Sequence, residues 1–324
     1  MRLVDLYDVL LLDLDGVVYR GAGAVPFAVV SLAEAVGGGA RLGYVTNNAS
    51  RPPAEVADHL TRLGIASSAE QVVTSAQVGA QLLTEHLPAG SRVLAIGGEG
   101  VAVALAERGL VPVRSAQQRS LGRTDPQIAA DVHGILQGFG PDVSWRDLAV
   151  ASYAVAAGAF WVATNLDRTI PRADGIAPGN GTLVAAVTEA TGVTPPSAGK
   201  PAADMMRWAA ARMQAQRPLA IGDRLDTDIR GARAAGMDSL LVLTGVTGPE
   251  DVLGAHPDER PTFVAADLRG LLRPLPRLDQ AHTGTAEDDD ARIAAAVLRC
   301  WSGEQTTAAG VAQLRALLGG AAGR

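Results

Sequence analysis

The chain has 324 residues, 48% hydrophobic and 19% charged, with a formal net charge of −6. That length suits two domains or one with a large insertion, and that balance suits a soluble globular protein and excludes wholesale disorder. The acidic charge, the 4% aromatic content and the single cysteine, Cys300, disfavour nucleic-acid partners, internal disulfides and Cys-rich metal sites.

Val9-Leu10-Leu11-Leu12 reads as a strand closed by Asp13-Leu14-Asp15-Gly16. A helix is expected over 26–36, stopped by three glycines, and a strand over 41–45, closed by Thr46-Asn47-Asn48. Pro52 and Pro53 open a helix to Leu63. Val72-Val73-Thr74 is a short strand, and Ser75 is expected to cap a helix to about His86. A further strand–helix unit begins at Arg92. Strands alternating with helices on short connections predict a parallel, doubly wound, Rossmann-like sheet.

The uncharged stretch 148–166 is long enough to consider as a membrane span. It is Ala-rich and carries Ser152, Gly158, Thr164 and Asn165, so it reads as a buried helix, a break and a strand, Phe160-Trp161-Val162-Ala163. Asp5, Asp8, Asp13 and Asp15 interrupt residues 1–18, unlike a signal peptide. The expected home is the cytoplasm, with no membrane partner. Beyond Pro178-Gly179-Asn180-Gly181, read as a boundary, come a helix over 182–190, a strand over 217–221 ending at Gly222-Asp223, a helix over 225–235 and a strand over 239–243. Pro274 and Pro276 are expected to end the compact part. The polar stretch 282–290 reads as a linker, and 291–301 and 305–318 as helices. Val297, Trp301, Leu314 and Leu317 are their expected contacts, with Cys300 a small buried side chain. Truncation after about 275 is expected to spare the chemistry.

Of 28 basic residues, 27 are Arg and one is Lys200. In a chain so poor in lysine, Lys200 is either codon chance or a site that needs a compact ammonium. Asp13 and Asp15, the Thr46-Asn47-Asn48 turn, and Asp223 with Asp226 and Asp228 all follow strands. Ligands of open parallel sheets bind at those strand ends. One Asp after a strand is usually a turn or cap residue. Several carboxylates on one rim repel unless a cation or proton sits between them.

Asp13-x-Asp15-Gly16-Val17, Thr46-Asn47-Asn48, Lys200-Pro201 and Gly222-Asp223-x-x-x-x-Asp228 resemble, in order, the four motifs of the haloacid dehalogenase superfamily of phosphohydrolases. The resemblance spans roughly residues 8–245. Ala163-Thr164-Asn165-x-Asp167 and Pro178-Gly179-Asn180-Gly181 resemble the subgroup with a large α/β cap. The implied division is a core over 1–88 and 177–273, a cap over 89–176, and a linker with a helical extension over 274–324.

The resemblance implies Mg²⁺ as cofactor, a small phosphorylated metabolite as substrate, and leaves a homodimer open. Asp13 would be the nucleophile, Asp15 the acid and base, and Asp13, Asp15 and Asp223, with Asp228, the metal's partners. Thr46, Asn47 and Asn48 would hold phosphoryl oxygens, and Lys200 would neutralise the reacting pair. Unaided phosphomonoester hydrolysis calls for accelerations of up to ~10²¹, so both a nucleophile and positive charge are needed. An alkoxide leaving group needs an acid, so Asp15 favours a phosphatase.

Substrate choice is expected in the loop from Asn165 to Arg172, with Asp167, Ile170 and Arg172 as candidates. Asn165 and Asp167 read equally well as residues that fix the loop. Aliphatic Ile170 resembles the glycerol 3-phosphate and phosphoglycolate members. Other sugar, nucleotide or pyridoxal phosphate phosphatases are the alternative, as is a catalytically silent regulatory protein. A P-loop is excluded because Pro201 follows Lys200. The dinucleotide fingerprint lacks its third glycine after Gly97-Gly98-Glu99-Gly100, which reads as a strand–helix turn.

Overall fold

The structure is a computed structural model that describes residues 1–172, 174–280 and 288–321. The expected linker falls largely on 281–287, outside the described residues, and so does the side chain of Arg172. The strands are β1 (Val9–Leu12), β2 (Tyr19–Arg20), β3 (Gly23–Ala24), β4 (Arg41–Thr46), β5 (Val72–Thr74), β6 (Arg92–Ile96) and β7 (Val111–Val113). They continue with β8 (Gly134–Gln137), β9 (Phe160–Ala163), β10 (Thr169–Arg172), β11 (Gly175–Pro178), β12 (Pro218–Gly222), β13 (Asp238–Val242) and β14 (Phe263–Ala265). The helices are α1 (Ala28–Gly37), α2 (Pro53–Arg62), α3 (Ser75–Thr84), α4 (Glu99–Glu107), α5 (Ser115–Ser120), α6 (Asp125–Ala129) and α7 (Trp145–Ala156). After them come α8 (Asn180–Thr191), α9 (Ala203–Arg212), α10 (Arg230–Ala234), α11 (Pro249–Leu253), α12 (Asp289–Trp301) and α13 (Thr307–Ala321). This is an α/β protein with a parallel-sheet, Rossmann-like core, an inserted α/β cap and a helical C-terminal extension.

Two compact units form: residues 1–45, 58–67 and 206–324 in the first, and 46–57 and 68–205 in the second. The expected cap range, 89–176, lies wholly inside the second unit.

In the first unit the parallel order is β14-β13-β12-β1-β4. All four residues of β1 are fully buried, as an apolar run in a sheet covered on both faces should be. Chain order runs one way from β1 to β4 and the other way from β12 to β14, so β1 and β12 flank a topological switch point. Leu12, the last residue of β1, pairs with Ile221, one residue before the end of β12, which sets Asp13 and Asp223 just beyond the two strands.

The second unit has its own parallel sheet, β7-β6-β8-β9, and an antiparallel hairpin of β10 and β11. Helix α3 packs on that sheet through Gly79, where a Cβ would meet Leu136. Thr74, not Ser75, caps α3: its hydroxyl accepts the Gln77 N–H at 3.3 Å while Gln77 reaches back to the Thr74 N–H at 3.2 Å. Ser75 instead donates its hydroxyl to the Asn47 carbonyl at 2.7 Å.

Packing continues past the two prolines. Leu278 is buried, and its N–H donates to the Thr262 carbonyl. Arg277 grips Asp238 with both arms of its guanidinium, at 2.8 and 2.9 Å. Arg277 holds the Asp238 carboxyl below the ordinary value, helped by the Tyr7 hydroxyl. A depressed carboxyl contributes stability above its unfolded pKa and loses it as pH falls through the folded value. Arg277→Met is therefore expected to cost about 1 kcal/mol at pH 7 and less at pH 3, in denaturant melts at each pH. An equal loss at both values would assign Arg277 to packing alone. No helix among the described residues is long and apolar enough to cross a membrane.

Candidate active site

In the first unit, Asp13, Asp223 and Asp228 each offer a carboxylate oxygen, and the three atoms lie within 4.8 Å of one another. Asp223 and Asp228 are 1% and 2% exposed. The Asp13 N–H donates to the Ile221 carbonyl at 2.8 Å, the parallel ladder's last step before the cluster. Asp223 Oδ2 accepts the Val246 N–H at 2.6 Å, and Asp228 Oδ2 accepts the Arg224 N–H at 3.1 Å.

The turn that carries Asp228 is a π-type turn, Leu225–Ile229, running into α10, where an unbroken helix was expected. The wider turn re-aims the side chain, as such bulges do at functional positions. Three glycines fit around the carboxylates. A Cβ at Gly16 would lie 2.6 Å from Asp223 Oδ2, and one at Gly222 or Gly245 would strike Asp228 or Asp223. Gly16 also has φ +87°, a conformation that side chains resist. Asp15 is exposed, two residues after the cluster's first member. Asp226 is engaged by its neighbour: Arg224 Nη2 donates to it at 2.7 Å.

Three carboxylates this close repel one another, two of them out of water. A hard divalent cation that prefers oxygen ligands fits that donor set, and the glycines leave no room for a side chain to fill it.

In the second unit, Thr46, the last residue of β4, accepts the Asn48 N–H on its hydroxyl at 3.1 Å. Asn48 Oδ1 accepts the Ser50 N–H at 3.0 Å and the Ser50 hydroxyl, so this side chain shapes its own loop. Gly98 and Gly100 admit that loop, since a Cβ on either would strike the backbone of Ser50 or of Ala49 and Arg51. The glycine run after β6 is thus a turn built for close backbone approach.

Lys200 is 3% exposed. Its N–H donates to Asn47 Oδ1 at 2.8 Å, and its carbonyl accepts from Asn47 Nδ2 at 3.0 Å. Asn47 Nδ2 also donates to Asp167 at 3.1 Å. Asn165 donates to the Asn47 carbonyl at 2.8 Å, and its Oδ1 accepts the Asp167 N–H at 3.2 Å. Asn165 and Asp167 are therefore tied into the loop. Ile170 is half-buried and pairs with Ala177 in the β10–β11 ladder, whose last pair is Arg172 with Gly175. Sequence reasoning singled out the run Pro178-Gly179-Asn180-Gly181 but gave Asn180 no role in the site; its buried amide joins this group. Its signal was a polar residue set between two glycines.

Two family models match the chain. One, of haloacid dehalogenase-like hydrolases, covers residues 10–111, and one of related hydrolases covers residues 197–271. A D-glycerol 3-phosphate phosphatase from Mycobacterium tuberculosis is 46% identical over 265 residues, 82% of this chain and 71% of that one. The chain belongs to the haloacid dehalogenase-like hydrolases. An acid sugar phosphatase from Staphylococcus saprophyticus, 32% identical, matches 83% of this chain and 98% of its own length. Among solved structures, a glycerol phosphate phosphatase from Mycobacterium tuberculosis in complex with magnesium superposes with a TM-score of 0.82 at 41% identity, covering 94% of each chain. As a hydrolase of this family, the chain carries every motif residue type that the resemblance requires.

Proposed function

We propose that the protein is a Mg²⁺-dependent phosphatase of small phosphomonoesters, with glycerol 3-phosphate as its substrate. The cluster of Asp13, Asp223 and Asp228 at the ends of β1 and β12 carries the reading. The D-glycerol 3-phosphate phosphatase at 46% identity supports the substrate, as does aliphatic Ile170. Phosphoglycolate is the next candidate. The cytoplasm is the compartment we infer.

Asp13 attacks phosphorus, forming an aspartyl phosphate while the bond to the ester oxygen breaks. Asp15 gives that oxygen its proton and then removes one from the water that hydrolyses the intermediate. Asp13, the Asp15 carbonyl, Asp223 and Asp228 would hold Mg²⁺, which when bound offsets the negative charge of nucleophile and phosphate. Thr46 and the Asn47 N–H orient phosphoryl oxygens, the positioning that governs phosphoryl transfer. Lys200 adds fixed positive charge. Residues 89–176 serve as the cap whose loop, Asn165 to Arg172, selects the rest of the substrate.

Turnover of a panel of phosphomonoesters with Mg²⁺, and with EDTA, tests this. The highest kcat/KM is expected for glycerol 3-phosphate. Absence of Mg²⁺-dependent turnover on every ester would leave only the silent regulatory reading. Lys200→Arg is expected to damage kcat within about threefold of Lys200→Ala, because a planar fork does not replace a compact ammonium in a site this closed. An Arg variant as active as wild type would reduce the solitary lysine to codon usage.

A further inference from the structure

Asn180 opens α8, is 1% exposed, and stands outside the four motifs. Its Nδ2 donates to the Asn165 carbonyl at 2.8 Å and to the Gln137 carbonyl at 3.1 Å. Two carbonyl partners fix which end of the amide is nitrogen. Asn165 in turn donates to the Asn47 carbonyl, and the Asn47 amide grips both the N–H and the carbonyl of Lys200. A chain of three side-chain amides thus runs from the end of β8 to the backbone of the solitary lysine. It passes through the loop after β9, which also carries Asp167.

Asn180 is satisfied on one side of its amide only. Its Oδ1 meets no hydrogen-bond partner among the described residues, and neither polar atom of the fully buried Gln137 amide does. A buried amide oxygen left unsatisfied is a cost that the two hydrogen bonds given by Nδ2 must offset. What asparagine adds is two donors aimed at backbone carbonyls. The flanking glycines serve the same contact. A Cβ at Gly179 or Gly181 would strike the carbonyls of Asp167 or Leu166, and one at Gly199 would lie 2.6 Å from Asn47 Oδ1. The backbone has been cleared on both sides for these amides to close.

We propose that Asn180 is a positioning residue of the phosphatase, setting Asn165 and through it the Asn47 amide that places Lys200. It touches no substrate and acts only through this chain of hydrogen bonds. The inference rests on the functional reading above, so the test begins from wild-type turnover of p-nitrophenyl phosphate with Mg²⁺.

Asn180→Ala removes the amide, and Asn180→Asp keeps its shape but turns an oxygen toward two carbonyls. Both are expected to lower kcat about tenfold or more, well below their melting midpoints, because misplacing a catalytic group by a fraction of an ångström is costly. KM for this small ester should change less than about threefold, as no ground-state contact is lost. Val187→Ala, a cavity two turns along the same helix, is expected to lower Tm without moving kcat. On an Asn47→Ala background, Asn180→Ala should cost less than about twofold more, since the chain is already cut. Three results would overturn the proposal: folded Asn180 variants with wild-type kcat, a loss confined to KM, or full additivity with Asn47→Ala. Absence of turnover in the wild type would instead overturn the functional reading beneath it.

Discussion

Asp13→Asn is expected to lower kcat by about 10⁴-fold or more, to the background of the assay. The amide keeps the shape of the carboxylate but has neither its charge nor its nucleophilic oxygen. Neither Asp15 nor the other two carboxylates of the cluster replaces it. Asp15 is exposed and serves proton transfer, while Asp223 and Asp228 are buried and turned to backbone N–H groups. Folding should survive, because the backbone N–H of residue 13 keeps its bond to the Ile221 carbonyl whatever the side chain. Removing one of three clustered carboxylates relieves repulsion, so Tm without metal is expected to hold or rise. Acid-quenched wild type should carry a phosphoryl group that Asp13→Asn lacks. More than a trace of turnover in the variant would remove the aspartyl-phosphate mechanism. Asp228→Asn should differ in kind: it leaves the nucleophile in place and raises the Mg²⁺ needed for half-maximal rate.

Three of the four motifs were legible because they end or follow a strand, where chemistry dictates the residue type and the fold dictates the place, and the fourth, Lys200-Pro201, stood out as the one lysine among 27 arginines, in a loop between α8 and α9. Asp13 and Asp223 needed only the knowledge that neighbouring parallel strands end near one level, and the Leu12–Ile221 pairing puts the two ends within one residue. Other features obey rules that sequence patterns do not announce. The hairpin of β10 and β11 contains Pro171 and Pro178, which argue against strand, yet a two-stranded ribbon has two edges and tolerates them. The helix expected over 225–235 begins with a wider turn that helix propensity does not encode. Ser75 was a sound choice as cap by type, but Thr74, one residue earlier, has Gln77 three residues on and completes a reciprocal pair. The role of Asn180 was hidden because a Gly-Asn-Gly run is what a surface turn looks like. Only the packing shows that its glycines clear space and its amide is buried.

Deleting residues from 281 onward is expected to destabilise the first unit by about 5–9 kcal/mol, a large share of a typical domain's stability. The sequence offered two apolar helix faces without saying what covers them. The structure docks both on the first unit. Ile293, Val297 and Leu314 are fully buried in one cluster with Leu241, Val252, Leu253 and Val264, and Trp301 donates its ring N–H to the Val252 carbonyl at 3.0 Å. Asp290 anchors the start of α12, accepting the Ala266 N–H at 3.0 Å and facing Arg273 at 3.1 Å. Each of the three large side chains contributes about 1.5–3 kcal/mol. Val297→Asp should approach the effect of deletion, because it places a charge where no water reaches. The same cluster contains Leu225 and Ile229, which bracket Asp228 on its π-type turn. Loosening their packing should disturb that carboxylate before it disturbs Asp13. The deleted protein, assayed below its lowered midpoint, should therefore keep its nucleophile and need more Mg²⁺ to reach the same rate. A deletion whose Tm falls by less than about 4 °C would show that the tail adds little to the fold. One that melts early but shows an unchanged Mg²⁺ requirement would separate the tail's packing from the placement of Asp228.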